Sequence, residues 1–174
     1  MSTGSPASTP RVGIGYDSHR FAPGGPMRLG GVDIPSEVHC EAHSDGDAVC
    51  HAVTDAILGA AGLGDIGEMF PDTDAANKGK DSIAMLEVAR ARLAEAGWRV
   101  GNVDVTVVTQ RPKIGVHRAA IRARLAAALR IGESDVGVKG KTNEGLGFVG
   151  REEGLGVIAV ACIVRNDGLR SASS

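Results

Sequence analysis

The chain has 174 residues, enough for one domain whose core buries roughly two-thirds of the surface that the unfolded chain exposes. With 19 basic and 21 acidic side chains, the formal net charge is −2, which lacks the basic excess of a nucleic-acid-binding protein. No apolar run approaches the ~20 residues of a membrane span, and the first residues lack the apolar core of a signal peptide. We therefore expect a cytoplasmic protein that binds neither nucleic acid nor membrane.

The composition indicates a core of small and β-branched side chains, because only 3% of the residues are aromatic. Subunits with such cores often bury further surface against copies of themselves. The three cysteines, Cys40, Cys50 and Cys162, lie in no CxxC pair, and we interpret them as buried thiols rather than metal ligands. Residues 1–10 and 167–174 are rich in small polar residues and are predicted to be flexible tails around a single catalytic domain of residues 11–166.

The first half of the domain is predicted to contain two strands and one long helix. Residues 11–17 alternate large and small side chains, and a second strand over residues 27–34 follows a Gly- and Pro-rich turn, so that the two could form a hairpin. Apolar residues at helical spacing predict a helix over residues 46–61. Ser44 and Asp47 have the spacing of a capping box at its start.

The second half is predicted to alternate helices with strands. The helices cover residues 82–96 and 115–131, and the strands cover residues 100–109, 136–141 and 155–164. Four arginines on the second of these helices are interpreted as a solvated face. The last strand is almost entirely apolar, which predicts a central position in the sheet. The predicted fold class is α/β (α+β type), a single layered domain with a mixed sheet of about four to five strands covered by about three helices.

Carboxylate and imidazole groups recur in two segments that could meet at a metal ion. If the first strand continues through residue 19, Asp17 and His19 project to the same side of it. His51 belongs to a polar edge that it shares with Asp47 and Asp55 on the first helix. One carboxylate and two imidazoles suit zinc, and three protein ligands leave a fourth position open for a substrate. The alternative is a solvated helix edge that holds no metal.

Two loops carry further polar groups. Lys141 ends a predicted strand, and Thr142 and Glu144 follow it in a glycine-rich loop. This mixture is suited to a phosphate and to Mg²⁺ or Mn²⁺, although ordinary glycine-rich turns have similar compositions. The loop at residues 71–74 is either a helix-capping or a hydroxyl-binding loop, and His43 could simply cap backbone groups. The signatures of dinucleotide-binding folds, P-loops, zincins and α/β-hydrolases are all incomplete or missing.

A set of motifs in this sequence resembles those of the 2-C-methyl-D-erythritol 2,4-cyclodiphosphate synthase family, in the same order and at matching spacing. The motifs run from about residue 11 to residue 164 and are GYDSHRF, LGG followed by IP, AHSDGD, HAVTDAILGAAGLGDIGEMFPDTD, GNVDVT, KTNEGLGF and GREEG. The resemblance implies a homotrimer with active sites between neighbouring subunits. It also implies the conversion of 4-diphosphocytidyl-2-C-methyl-D-erythritol 2-phosphate into the cyclic 2,4-diphosphate and CMP.

The resemblance further assigns roles to individual residues. The implied metal ligands are Asp17, His19 and His51 for one Zn²⁺ and Glu144 for a second divalent cation, Mg²⁺ or Mn²⁺, and the implied transition-state stabilisers are His43 and Thr142. The implied substrate contacts are Ser44, Asp65, Gly67, Phe70, Asp72, Asp74, Thr109, Pro112, Lys113, Lys141, Phe148 and Arg151. Among these, Asp72 is assigned to the erythritol hydroxyls and Lys113 to the cytidine pocket. Lys141 departs from the family pattern, in which many relatives carry a hydroxyl residue.

Two other functions stay open at this point. A metal-dependent phosphodiesterase would hydrolyse a nucleotide diphosphate with water, and the detection of a linear rather than a cyclic product would identify it. A non-catalytic trimer could instead bind isoprenoid diphosphates along its axis, as the apolar last strand and Arg151 suggest. In that case His51→Ala would leave all biological activity intact.

Overall fold

A computed structural model describes residues 9–71 and 73–166 of the protein and shows a sheet covered on one face by helices. The strands of this part of the chain are β1 Arg11–Pro23, β2 Met27–Leu29, β3 Val32–Ile34, β4 Val38–Cys40, β5 Trp98–Val108, β6 Val136–Lys141 and β7 Gly154–Arg165. The α-helices are α1 Ala48–Ala61, α2 Ile66–Met69, α3 Ser82–Glu95, α4 Arg118–Leu129 and α5 Gly147–Gly150. Short 3-10 turns cover Ala75–Asn77, Ile114–Val116 and Glu133–Asp135. Apart from Thr9 and Pro10, the predicted tails lie outside the described residues.

The main sheet has five strands in the order β4-β1-β7-β5-β6. Strands β5 and β6 are parallel, and the other neighbours are antiparallel. The mixed sheet confirms the predicted fold class, and the central position of β7 confirms the prediction made from its apolar sequence. The long helices α1, α3 and α4 contribute Ile57, Leu86 and Leu125 to one core with the inward-facing residues of β5 and β7. None of the helices in the described residues is both long and apolar enough to cross a membrane.

The predicted hairpin between the first strand and residues 27–34 is wrong. Residues 27–34 fold back on themselves, because β2 and β3 pair across Gly30 and Gly31. These glycines have φ angles of 60° and 72°, the left-handed conformation that a tight two-residue hairpin requires at both positions. Strand β1 instead pairs with β7 and, at its far end, with β4.

The predicted capping box is also wrong, because the helix begins later than expected. Helix α1 begins at Ala48, and its N-cap is Asp47, whose side chain accepts a hydrogen bond from the Cys50 N–H. The same buried carboxylate accepts the N–H groups of Gly30 and Gly31 at 2.7 and 2.6 Å. Asp47 therefore joins the β2–β3 hairpin to the helix and does not face the site that the polar edge was predicted to form.

The remaining two long helices agree with their predicted positions, with one correction. Among the four arginines of the 115–131 segment, Arg122 is half-buried and donates to the carbonyl oxygens of Val136 and Glu133. It therefore anchors α4 to the loop before β6 rather than facing solvent, whereas Arg118, Arg124 and Arg130 are exposed.

Strand β1 lies unusually close to helix α1. A Cβ atom at Gly13 would stand 2.1 Å from the carbonyl oxygen of Ala56, and one at Gly15 would stand 1.9 Å from that of Ala52. Real Cβ atoms do not approach backbone oxygens so closely, so only glycine permits this packing. The close contact sets the separation between the end of β1 and the polar side chains of α1.

The face of the sheet opposite the helices carries apolar side chains that are open to solvent in the single chain. Val12, Ile14 and Tyr16 on β1 are 67%, 70% and 57% exposed, and Ile158 and Val160 on β7 are 41% and 40% exposed. Ile14 lies opposite Val160, and Tyr16 lies opposite Ile158. We call these five residues the open sheet face. Contiguous exposed apolar surface of this kind marks an interaction site.

Candidate active site

Three side chains meet where the end of β1 faces the first turns of α1. Asp17 and His19 alternate along β1 and point to the same side, and His51 reaches them from the helix. The Asp17 Oδ2 lies 2.9 Å from His19 Nε2 and 3.0 Å from His51 Nδ1, and the two ring nitrogens are 3.3 Å apart. Sequence reasoning predicted this group of three, and the structure brings it together.

Asp17, His19 and His51, which we call the triangle, have the spacing of a metal centre. Ligands held in a tetrahedron at about 2.0–2.1 Å, the arrangement that zinc prefers, lie about 3.3–3.4 Å from one another. The three ligand atoms therefore fit a divalent cation of this size after a small outward shift. Among the residues that the structure describes, this is the group of His, Cys, Asp and Glu side chains that can hold a metal ion.

Electrostatics at the triangle favour a charged carboxylate. Burial alone would raise the pKa of Asp17, but hydrogen bonds to His19 and His51 and the charge interactions with both rings together outweigh burial, so that its pKa lies well below the ordinary value. Burial would likewise lower the pKa of His19, but the neighbouring Asp17 raises it overall. The His19 Nδ1 lies 3.0 Å from the carbonyl oxygen of Glu41, which accepts the proton on that nitrogen. The lone pair of a neutral His19 is then on Nε2, facing the triangle.

A cavity of about 220 Å³ opens beside the triangle. Its lining includes His19 and His51 together with four residues that the family resemblance had assigned to the site, namely His43, Ser44, Gly67 and Phe70. The N-cap of α2, Asp65, is exposed and accepts a hydrogen bond from the Glu68 N–H at 2.8 Å. Asp74 lies on the exposed loop that follows. The predicted contact Asp72 lies outside the described residues.

A second cavity, of about 330 Å³, lies at the ends of the parallel strands β5 and β6. Its lining includes the predicted residues Thr109, Pro112, Lys113, Lys141 and Thr142. The Thr109 N–H donates to the Lys141 carbonyl oxygen at 2.8 Å, so the strand ends are held side by side. Arg118 adds a third positive charge to the lining, which suits a phosphorylated ligand. No residue that lines this cavity lines the first one.

Besides Asp17, Asp65 and Asp74, three more predicted residues lie outside the linings of both cavities. Glu144 is exposed, has a φ of 49°, and accepts a hydrogen bond from the Thr142 hydroxyl at 2.7 Å. Phe148 is 41% exposed on α5. Arg151 is exposed and forms an ion pair with Glu153 at 2.8 Å.

Sequence reasoning missed several residues in and around the first cavity. Asn77 and Met85 line it, and Ser82 approaches the outer nitrogen of His51. Asp45 in turn accepts hydrogen bonds from Ser82. Asp45 belongs to the AHSDGD motif, but no local period of the sequence relates it to Ser82.

The family of the chain follows from comparison with known proteins. A sequence model of the YgbB family matches residues 10–164. The chain belongs to the YgbB family. This match and the names of the relatives described next confirm the resemblance to the cyclodiphosphate synthases that the motifs indicated.

Individual YgbB-family relatives match over most of the domain. The 2-C-methyl-D-erythritol 2,4-cyclodiphosphate synthase of Gemmatimonas aurantiaca is 77% identical over 154 residues, which cover 88% of this chain and 93% of the relative. The structure of the bifunctional IspDF of Campylobacter jejuni matches with a TM-score of 0.90 and 41% identity over 95% of this chain and 45% of that one. A Plasmodium falciparum IspF in complex with CDP matches with a TM-score of 0.81 and 36% identity over 92% of this chain and 99% of that one.

Proposed function

We propose that this YgbB-family chain is a 2-C-methyl-D-erythritol 2,4-cyclodiphosphate synthase. The observation that carries the proposal is the Asp17, His19 and His51 triangle beside a cavity that also contains His43 and Ser44. The printed name of the Gemmatimonas aurantiaca relative, at 77% identity, supports the same activity. The substrate would be 4-diphosphocytidyl-2-C-methyl-D-erythritol 2-phosphate.

The proposed reaction is an intramolecular phosphoryl transfer. An oxygen of the 2-phosphate forms a bond to the β-phosphorus, and the bond between that phosphorus and the oxygen shared with the α-phosphate breaks. CMP leaves with that oxygen, an eight-membered ring closes, and no water is consumed, so the enzyme is a phosphorus–oxygen lyase. Attacking and leaving groups are both anionic, so the protein must bend the substrate and offset its charge.

The residues of the two cavities would bind different parts of the substrate. His43 and Ser44 would contact the phosphates beside the triangle, and Gly67 and Phe70 would enclose the erythritol part. Lys113 and Lys141 would hold the cytidine diphosphate end. Thr142 would stabilise the transferred phosphoryl group through its hydroxyl, which faces Glu144 in this structure.

The donor groups indicate two different cations. The carboxylate and two imidazoles of the triangle suit Zn²⁺, whereas a single exposed carboxylate, Glu144, suits Mg²⁺ or Mn²⁺ shared with phosphate oxygens. When bound, the two ions would supply Lewis-acid polarisation of the diphosphate and charge neutralisation on the leaving CMP.

A homotrimer would bring the two cavities together. They share no lining residue within one chain, although the proposed substrate must reach both. The open sheet face supplies an apolar surface for association. Contact between subunits would then place the nucleotide cavity of one chain beside the triangle of its neighbour and help to keep water from the reaction. The buried free thiols of Cys40 and Cys50 fit a reducing cytoplasm.

Product analysis tests the activity directly. The purified protein is incubated with the cytidine substrate, Zn²⁺ and Mg²⁺, and the phosphorus NMR spectrum is followed. The proposal expects the cyclic diphosphate together with CMP. Linear phosphate products would identify the diesterase function instead, and no turnover by the metal-loaded protein would favour a binding function.

Metal content tests the assignment of the ligands. We expect Asp17→Ala, His19→Ala and His51→Ala to lose zinc and turnover together, because each removes one of three ligands. Glu144→Ala should keep its zinc but require far more Mg²⁺ or Mn²⁺ for turnover. Glu87→Ala, at an exposed position of α3, is the matched control and should behave as the wild type. Full zinc loading of the triangle variants would contradict the assignment.

A further inference from the structure

Two hydroxyl groups contact the imidazole nitrogen of His51 that faces away from Asp17. Its Nδ1 faces Asp17, while its Nε2 lies 2.9 Å from the Ser82 Oγ and 3.0 Å from the Ser44 Oγ. The ring is 12% exposed, so these contacts are largely shielded from water. The contact with Ser82 joins the start of α3 to a residue of α1.

The direction of the hydrogen bond between Ser82 and His51 follows from Asp45, which is the other partner of Ser82. The Ser82 hydroxyl lies against Asp45 Oδ1, and the Ser82 N–H donates to Asp45 Oδ2 at 3.1 Å. An ionised carboxylate can only accept, so the hydroxyl proton of Ser82 is committed to Asp45. The Ser82 oxygen then acts as an acceptor toward His51, so this hydrogen bond of 2.9 Å requires a proton on Nε2. The Ser44 oxygen, which accepts the Gly46 N–H, can accept from the same Nε2–H. The lone pair of a neutral His51 is left on Nδ1, which faces the triangle.

Asp45 is itself fixed in place. Its backbone N–H donates to the Lys80 carbonyl oxygen at 3.3 Å, and Arg28 lies 3.5 Å from its carboxylate. It also sits at the N-terminal end of the 14-residue helix α3, where a negative charge is favoured. The backbone of Asp45 is therefore anchored, and its carboxylate lies between Arg28 and the start of α3, where it can impose one orientation on Ser82.

We propose that Ser82 and Asp45 are positioning residues that hold His51 as the Nε2–H tautomer and so keep Nδ1 free to bind the metal ion. The inference rests on the metal site of the proposed function and adds two residues to it. Partners that orient a ligating histidine commonly change metal affinity about 10–100-fold when they are removed.

The test compares Ser82→Ala with the wild type and with Ser82→Thr in the full chain. Long-range proton–nitrogen NMR of the metal-free protein, at a pH where the imidazole is neutral, reports which nitrogen of His51 is protonated. We expect the Nε2–H form in the wild type and in Ser82→Thr, and a mixture of tautomers in Ser82→Ala. Competition with a chelator should show zinc binding weakened about 10–100-fold in Ser82→Ala and restored in Ser82→Thr.

Two further variants keep the test decisive. Asp45→Asn retains the size of the side chain but can offer its amide N–H to Ser82, so it should also mix the tautomers and weaken zinc binding even if Ser82→Ala folds poorly. Ser134→Ala, at an exposed serine remote in sequence from the site, should match the wild type. An unchanged tautomer and zinc affinity in folded Ser82→Ala and Asp45→Asn would overturn the inference. Neither readout uses substrate, so a failure of the cyclase proposal would be seen separately.

Discussion

Single aspartates in this chain have different roles that depend on their neighbours. Asp17 faces two imidazoles and is a candidate metal ligand, whereas Asp47 is fully buried and caps α1 while it holds the β2–β3 hairpin. Asp55, on the same helix as His51, accepts the Ile66 N–H at 2.8 Å and so positions the start of α2. The residue type alone does not distinguish these roles, because each depends on donors from another part of the chain.

Asp55 provides a test of stability against pH. Burial raises the pKa of Asp55, and the neighbouring charges of Asp65 and Asp17 add to this effect, while the Ile66 N–H opposes it. As pH rises, the unfolded chain therefore releases this proton before the folded protein does, and the free energy of unfolding falls. Asp55→Asn removes the titration but keeps an oxygen for Ile66. We expect the stability of Asp55→Asn relative to the wild type to rise from acid to neutral pH.

Urea unfolding of the metal-free proteins over a pH series measures this difference. Asp135→Asn is the control, because Asp135 is exposed and lines neither cavity. A pH-independent difference between Asp55→Asn and the wild type would show that burial of this carboxylate does not affect stability in the way that we infer.

At the scale of elements, the contact between β1 and α1 determines the geometry of the triangle. The two elements supply all three candidate ligands, and the glycines of β1 allow them to approach. The periodicity of each segment predicted a strand and a helix correctly. It did not predict their separation, which depends on side-chain volume at the contact.

Replacing one of these glycines should therefore affect both stability and metal binding. A Cβ atom at Gly15 would meet the Ala52 carbonyl oxygen, so Gly15→Ala must separate β1 from α1, and we expect it to destabilise the protein by about 1–3 kcal/mol or more and to weaken zinc binding. Gly59→Ala is the matched control on α1, where a Cβ atom meets no other atom within 4 Å. It should stabilise the helix by about 0.5–1 kcal/mol. Denaturant unfolding measures the stability of each variant, and chelator competition measures its zinc affinity. Equal stability and equal zinc affinity of Gly15→Ala and Gly59→Ala would contradict the inferred close packing of β1 on α1.

At the scale of the whole molecule, the two faces of the sheet differ. One is covered by the long helices, and the other carries the open sheet face. The alternation along β7 puts apolar side chains on both faces, with Val157 and Ala159 buried under the helices and Ile158 and Val160 on the open sheet face, which is typical of a strand that is covered on both sides. Because no helix of the described residues covers the second face, we expect other copies of the chain to pack against it.

A charge on the open sheet face should disrupt this association. We expect Ile14→Asp to sediment as a monomer and to lose turnover, since the carboxylate would be buried against other subunits without a partner. Val88→Asp introduces the same charge at a 49%-exposed valine on α3 and should still form the proposed trimer. Sedimentation velocity distinguishes the two variants. A trimeric Ile14→Asp protein would show that the subunits associate through another surface.

The sequence by itself determined the three long helices, the strands β1, β5, β6 and β7, the central place of β7 and the three residues of the triangle, because periodicity and the order of motifs are properties of neighbouring residues. The tertiary structure decided which distant residues became hydrogen-bond partners. Gly31 donates to Asp47 across 16 positions, and Ser82 meets Asp45 across 37 and His51 across 31. No local period relates residues so far apart, and their hydrogen bonds depend on how the hairpin, α1 and α3 pack. The sequence therefore indicated which residues could bind a metal ion, while the packing of the elements established which groups orient them.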